Sequence, residues 1–181
     1  MSREALHLSF GGSDAIEAFA AMLLGARPFD PSDEAAHLAR IAREVARDRS
    51  RPVTPDMTVE HAALHALYAL ARDRSAEIHP APAPSRDVET RSALALRLML
   101  SLRHRQRAAL ALRFVLGVDR HRVGQILGLR PKVVDGVLSG GLAAIARAAG
   151  SKMDVRRNLI AAGRSLPRSS AATPRRCRRS G

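Results

Sequence analysis

Eight cationic side chains in the second half of the chain stand out for the chemistry they could do: Arg103, Arg105, Arg107, Arg113, Arg120, Arg122, Arg130 and Lys132. Guanidinium and ammonium groups placed at helix starts and loops bind phosphate oxygens and fix the orientation of a polyanion. A second cationic set, Arg40, Arg43 and Arg47, recurs at i, i+3 and i+7, which is one face of a helix and suits a partner surface. For any one arginine, a solvated helix face is the plainer alternative. His61 and His65 stand at i, i+4 behind Glu60, a spacing that can bring two imidazoles to one metal. However, the order Glu-His-(x)3-His differs from the zinc-protease pattern and no third ligand is evident, which favours a surface or interface pair. The carboxylates of the front half form no acid–base pattern, and Gly11-Gly12 lacks the Lys and Ser/Thr of a phosphate loop. The expectation is a binding protein and not an enzyme, with no catalytic residues, metal, cofactor or small-molecule substrate.

Charge is divided along the chain. Residues 1–90 hold 10 Lys+Arg against 14 Asp+Glu, whereas residues 91–181 hold 20 against 3, within a total of +13. Cation excess confined to one half is the electrostatic footprint of a polyanion binder; the alternative is a solubility effect or an Arg-rich coding bias. Cys177 is alone, which excludes an intrachain disulfide and is compatible with a reducing compartment. No basic-then-apolar leader and no bilayer-length apolar run is found, so a cytoplasmic protein without membrane partners is expected.

The elements that must position these groups are helical. Aromatics are 3% of the residues, Ala, Leu and Arg dominate, and the apolar spacing is helical throughout. With 181 residues and 46% hydrophobic content the chain can bury one moderate core or two small ones. Ser13 caps a predicted helix from Asp14 to Leu24, closed by Gly25. Ser32 or Asp33 caps a second, running to Arg49, with Leu38, Ile41, Ala42 and Val45 as its inner stripe. A third spans Asp56 to Arg74, with Val59, Ala63, Leu67 and Leu70 on one side. The Pro/Ala stretch beginning at His79 reads as a semi-rigid linker.

Beyond the linker, Leu110, Phe114 and Val115 supply the inner face of a leading helix ended by Gly117. Asp119 is an N-cap for a short helix from Arg120 to Leu127, whose Val123, Ile126 and Leu127 point inward. Gly124 suits a close helix approach, Gly128 a tight turn, and Pro131 the first turn of a next helix that buries Val134, Leu138, Gly141 and Ile145. The expected fold is all-α: a helical module over 1–78, a linker over 79–90, a basic helix-turn-helix domain over 91–150, and a disordered basic tail over 151–181.

The string Leu102-(x)3-Gln106-Arg107-(x)5-Arg113-(x)3-Gly117-(x)8-Ile126-Leu127-Gly128-Leu129-(x)-Pro131-(x)2-Val134 resembles region four of the sigma-70 family, closest to the extracytoplasmic-function group. Pro28-Phe29-Asp30-Pro31, with the run from Leu38 to Arg51, is similar to the end of region two in that group. The two stretches cover roughly residues 13–51 and 91–149, in the family's order. The resemblance implies an initiation subunit that binds core RNA polymerase and duplex promoter DNA, with an anti-sigma factor as a further partner. The back module would then dock through the eight cations, with Val133 offered to a thymine methyl.

The departures are specific. The opening helices of region two are not found, His37 stands where the family has Trp, and Glu44 stands where it has Asn. The groove-facing positions of the recognition helix carry Gly136, Ser139, Gly140 and Ala143 beside Lys132 and Asp135, whereas base readout favours Arg, Lys, Asn or Gln. A second reading therefore stays open: a degenerate sigma-like protein that binds polymerase, a sigma factor or an anti-sigma factor without initiating transcription.

Overall fold

Local capping decides where the helices begin and end. Ser32 Oγ accepts the Ala35 amide at 3.2 Å and starts one helix, and Thr90 Oγ1 accepts the Ala93 amide at 3.2 Å and starts another. Residues 12–26, 32–48, 58–74, 90–150 and 153–166 are described in a computed structural model. The turn at 27–31, the stretch 75–89 that includes most of the expected linker, and the tail beyond 166 with Cys177 lie outside them.

Among the described residues the chain is all-helical, without strands. The front half supplies α1 (Gly12–Leu23), α2 (Asp33–Asp48) and α3 (Val59–Arg74). The back half supplies α4 (Arg91–Leu100), α5 (His104–Leu110) with a π-helical turn (Ala111–Val115) behind it, α6 (Arg120–Leu127), α7 (Pro131–Ala148) and α8 (Val155–Arg164).

Within the front half α1, α2 and α3 pack on one another; α1 also lies on α5 and α3 on α6, so residues of both halves join one buried cluster. Phe19, Met22, Leu23, Leu38 and Leu67 enter it from the front, and Met99, Leu110, Leu112, Ile126 and Ile145 from the back. The α2 stripe is rotated from the expected one. Ala35, Leu38, Ala39, Ala42 and Ala46 are buried, Ile41 is half-buried and Val45 is 38% exposed. Small alanines let α2 lie close to α1 and α3, which turns the bulkier valine outward. In α3, Ala63 and Leu67 are buried as expected, but Val59, in the first turn, is exposed.

The expected disordered tail needs correcting at 153–166. Asp154 Oδ1 accepts the Arg157 amide at 3.0 Å and begins α8, which buries Val155, Leu159, Ala162 and Gly163, followed by Leu166. The apolar residues are few but fall on one stripe, and they pack on α4 and the π-helical turn. Gly163 makes this possible: an added Cβ would overlap the Val115 carbonyl and stand 2.9 Å from Val115 Cα.

Candidate nucleic-acid interface

Asp119 lies in extended backbone ahead of α6, and its Oδ1 accepts the Arg122 amide at 3.0 Å. At the other end Leu129 N donates to Gly124 O (2.8 Å) and Gly128 N to Gln125 O (3.3 Å), a Schellman closure in which Gly128 takes φ +64°. Gly124 is tight as well, because a Cβ there would stand 2.9 Å from Leu129 O and 3.4 Å from Val134 Cγ2. Pro131 opens α7, which buries Val134, Leu138, Gly141 and Ile145, the four positions read from the sequence. Gly141 lies against Leu110, whose Cδ1 would be 2.9 Å from an added Cβ.

The outer side of α7 presents Lys132, Val133, Asp135, Gly136, Ser139 and Ala143, with Val133 41% exposed. The Ser139 hydroxyl is turned back onto Asp135 O at 2.8 Å. Arg103, Arg105 and Arg130 are also exposed. Arg120 is exposed but reaches across the turn to Asp135 Oδ1 at 3.0 Å.

Three of the expected phosphate contacts are occupied inside the protein. Arg107 must be corrected outright: it is 1% exposed and cannot touch a ligand on the surface. Its Nη1 donates to Leu100 O at 2.7 Å and its Nη2 to Leu23 O at 2.8 Å. Leu23 and Leu100 are the last residues of α1 and α4, so one guanidinium satisfies orphan carbonyls at two helix C-termini, where cations are favoured. Burial lowers it to about 10, which leaves it charged at neutral pH. Arg113 is half-buried and donates to Val118 O at 3.1 Å. Arg122 is half-buried, with Nε 3.3 Å from Asp119 Oδ2 and Nη1 donating to His61 Nδ1 at 3.0 Å.

On α2, Arg40 pairs with Glu44 at 3.0 Å and lies 3.1 Å from His37 Nδ1. Arg43 turns inward to Glu17 on α1 at 2.8 Å, and Arg47 is exposed. The cationic stripe therefore splits, with one member binding α2 to α1.

The histidine pair lies at the contact of α3 with α6. His65 Nδ1 donates to Ile126 O at 2.7 Å, the carbonyl next to the two used in the Schellman closure of α6. Arg107 does the same for α1, where Ala26 N→Ala21 O and Gly25 N→Met22 O precede its bond to Leu23 O. In both helices a distant side chain completes the cap. Among the described residues no group of three or more His, Cys, Asp and Glu side chains could hold a metal ion. No described helix is long and apolar enough to cross a membrane.

Sequence reasoning missed α8 as a source of surface cations. Arg156, Arg157 and Arg164 are exposed, and the Arg156 guanidinium stands 5.7 Å over the Phe114 ring. The signal was present in Asp154 followed by Val155, Leu159, Ala162 and Leu166 at i, i+4, i+7 and i+11. Compared with known protein families, curated proteins and solved structures, the chain matches none significantly.

Proposed function

We propose that the chain is a sigma-factor-like transcription protein that docks on duplex promoter DNA and on core RNA polymerase, with a cytoplasmic location. The observation that carries this reading is the unit from Asp119 to Ile145. A short capped helix, a left-handed glycine turn and a proline-started second helix leave Arg130, Lys132 and Val133 exposed together at the start of α7. Arg103, Arg105 and Arg120 are further exposed cations among the contacts expected from the sequence. The Arg120–Asp135 pair is worth little in water, so a phosphate can displace the carboxylate. Base readout is thin, because the groove-facing positions are Gly136, Ser139 and Ala143, and affinity comes from the backbone.

Five such cations on phosphates give a slope of about −4 to −5 in log affinity against log salt. Duplex retention measured at rising salt checks this; a flat response counts against the reading. Charge reversal at Arg130 and Lys132 should abolish duplex retention and spare polymerase binding. Run-off transcription with core polymerase and genomic fragments then tests initiation itself.

One set of observations favours the alternative of an interaction protein that binds polymerase, a sigma factor or an anti-sigma factor without initiating. Arg107, Arg113 and Arg122 are committed inside the fold, and the outer side of α7 is almost bare of readers. Polymerase binding without any promoter-specific transcript decides for it.

A further inference from the structure

Histidines line the seam where the front helices meet the back ones. His61 and His65, one turn apart on α3, face α6. Beyond them Tyr68 stacks on His104 at the start of α5, with ring centroids 5.0 Å apart and planes at 15°. The His61 Nδ1 takes a hydrogen bond from Arg122 Nη1 at 3.0 Å and lies 2.9 Å from Thr58 Oγ1. A guanidinium has donors and no acceptor, so His61 must be neutral with its proton on Nε2. A proton added at Nδ1 removes the acceptor and sets an imidazolium against a guanidinium at hydrogen-bond distance.

His104 is placed alike, half-buried under Tyr68 with Arg107 on its own helix and Arg72 on α3. His65 differs, since its Nδ1 donates to a main-chain carbonyl, Ile126 O, and faces no guanidinium donor there. Its bond adds to the contact of α3 with α6, and the neutral rings of His61 and His104 make that contact conditional.

We propose that this seam is a proton-operated latch: neutral His61 and His104 hold α3 on α6 and α5, and protonating them lets the front helices lift away, freeing Arg122 and uncovering α6. The charged neighbours support the direction. Burial and then Arg122 push His61 below 6.5, outweighing Glu60 and Asp119. Burial and then Arg107, with Arg72 adding and a hydrogen bond to the Tyr68 backbone opposing, push His104 down to about 4. The open form therefore binds more protons than the closed one. The closed form has its full stabilisation above about pH 6.5 and loses it as pH falls towards about 4.

Tyr68 is the chain's single tyrosine, there is no tryptophan, and the residue is 8% exposed, so its fluorescence reports the seam directly. In the full chain, acrylamide quenching of Tyr68 should rise severalfold on acidification while far-ultraviolet circular dichroism keeps its helical signal. His61→Asn retains an acceptor for Arg122 and His104→Phe retains a stacking ring, and neither titrates. The double variant should stay closed to lower pH, and His61→Asn alone should shift the opening to lower pH. Three results overturn the latch: quenching that stays low down to pH 4, a rise that coincides with loss of helix, or an identical rise in the double variant.

Discussion

Arg40 and Arg43 on α2 each meet a carboxylate, Glu44 and Glu17, whereas Arg107 and Arg113 on α5 and the turn behind it meet main-chain carbonyls. Composition sets the contrast: the front half carries 14 Asp+Glu and the back half 3. In the acid-rich half Arg43 joins α2 to α1 by an ion pair, whereas the Arg40–Glu44 pair lies within α2. Where acids are scarce, a buried guanidinium needs oxygens of another kind, and helix C-termini supply them. Net charge therefore overstates the cations available to a ligand. Of the eight expected contacts in the back half, Arg103, Arg105, Arg130 and Lys132 are exposed, without a side-chain partner among the described residues.

The contrast breaks most readily at Arg107. Arg107→Met removes two charge-assisted hydrogen bonds and leaves two buried carbonyls, which should lower stability by about 3 kcal/mol or more in urea unfolding. Arg107→Lys should restore little, because a point charge does not span both carbonyls. Next, Gly163→Ala should cost about 1–3 kcal/mol by forcing α8 off the Val115 carbonyl. An unchanged midpoint would mean that α8 contributes nothing to the back half. Gly136→Ala faces open space and should raise stability by about 1 kcal/mol through helix propensity alone, read as a higher thermal midpoint. Smallest is Arg40→Ala, within about 0.5 kcal/mol, since exposed i, i+4 pairs are weak. A cost near that of Arg107→Met would erase the distinction between the two halves.

Much of the fold was legible locally. Ser32 and Asp119 as caps, Gly128 as the turn and Pro131 as the start of α7 follow from backbone preferences that act within a few residues. The buried set Val134, Leu138, Gly141 and Ile145 follows from helical period. The stripe of α2 was misjudged because volume decided it: alanines allow a close approach that Val45 would block. The tail was misjudged because composition was weighed over a whole segment, while the apolar positions of α8 fall on a single face.

The amino-acid order by itself determined the all-helical class, the division of charge, the start and stop of α6 and the start of α7. Those depend on capping groups, glycine φ and the 3.6-residue period, all fixed by near neighbours. Only tertiary structure decided which cations remain at the surface. Whether Arg107 faces solvent depends on Leu23 O and Leu100 O meeting beside it, and whether Arg122 is free depends on His61 across the seam. An arginine's fate follows the oxygen or nitrogen atoms that packing brings within about 3 Å, and no spacing along one helix encodes which of them will be there.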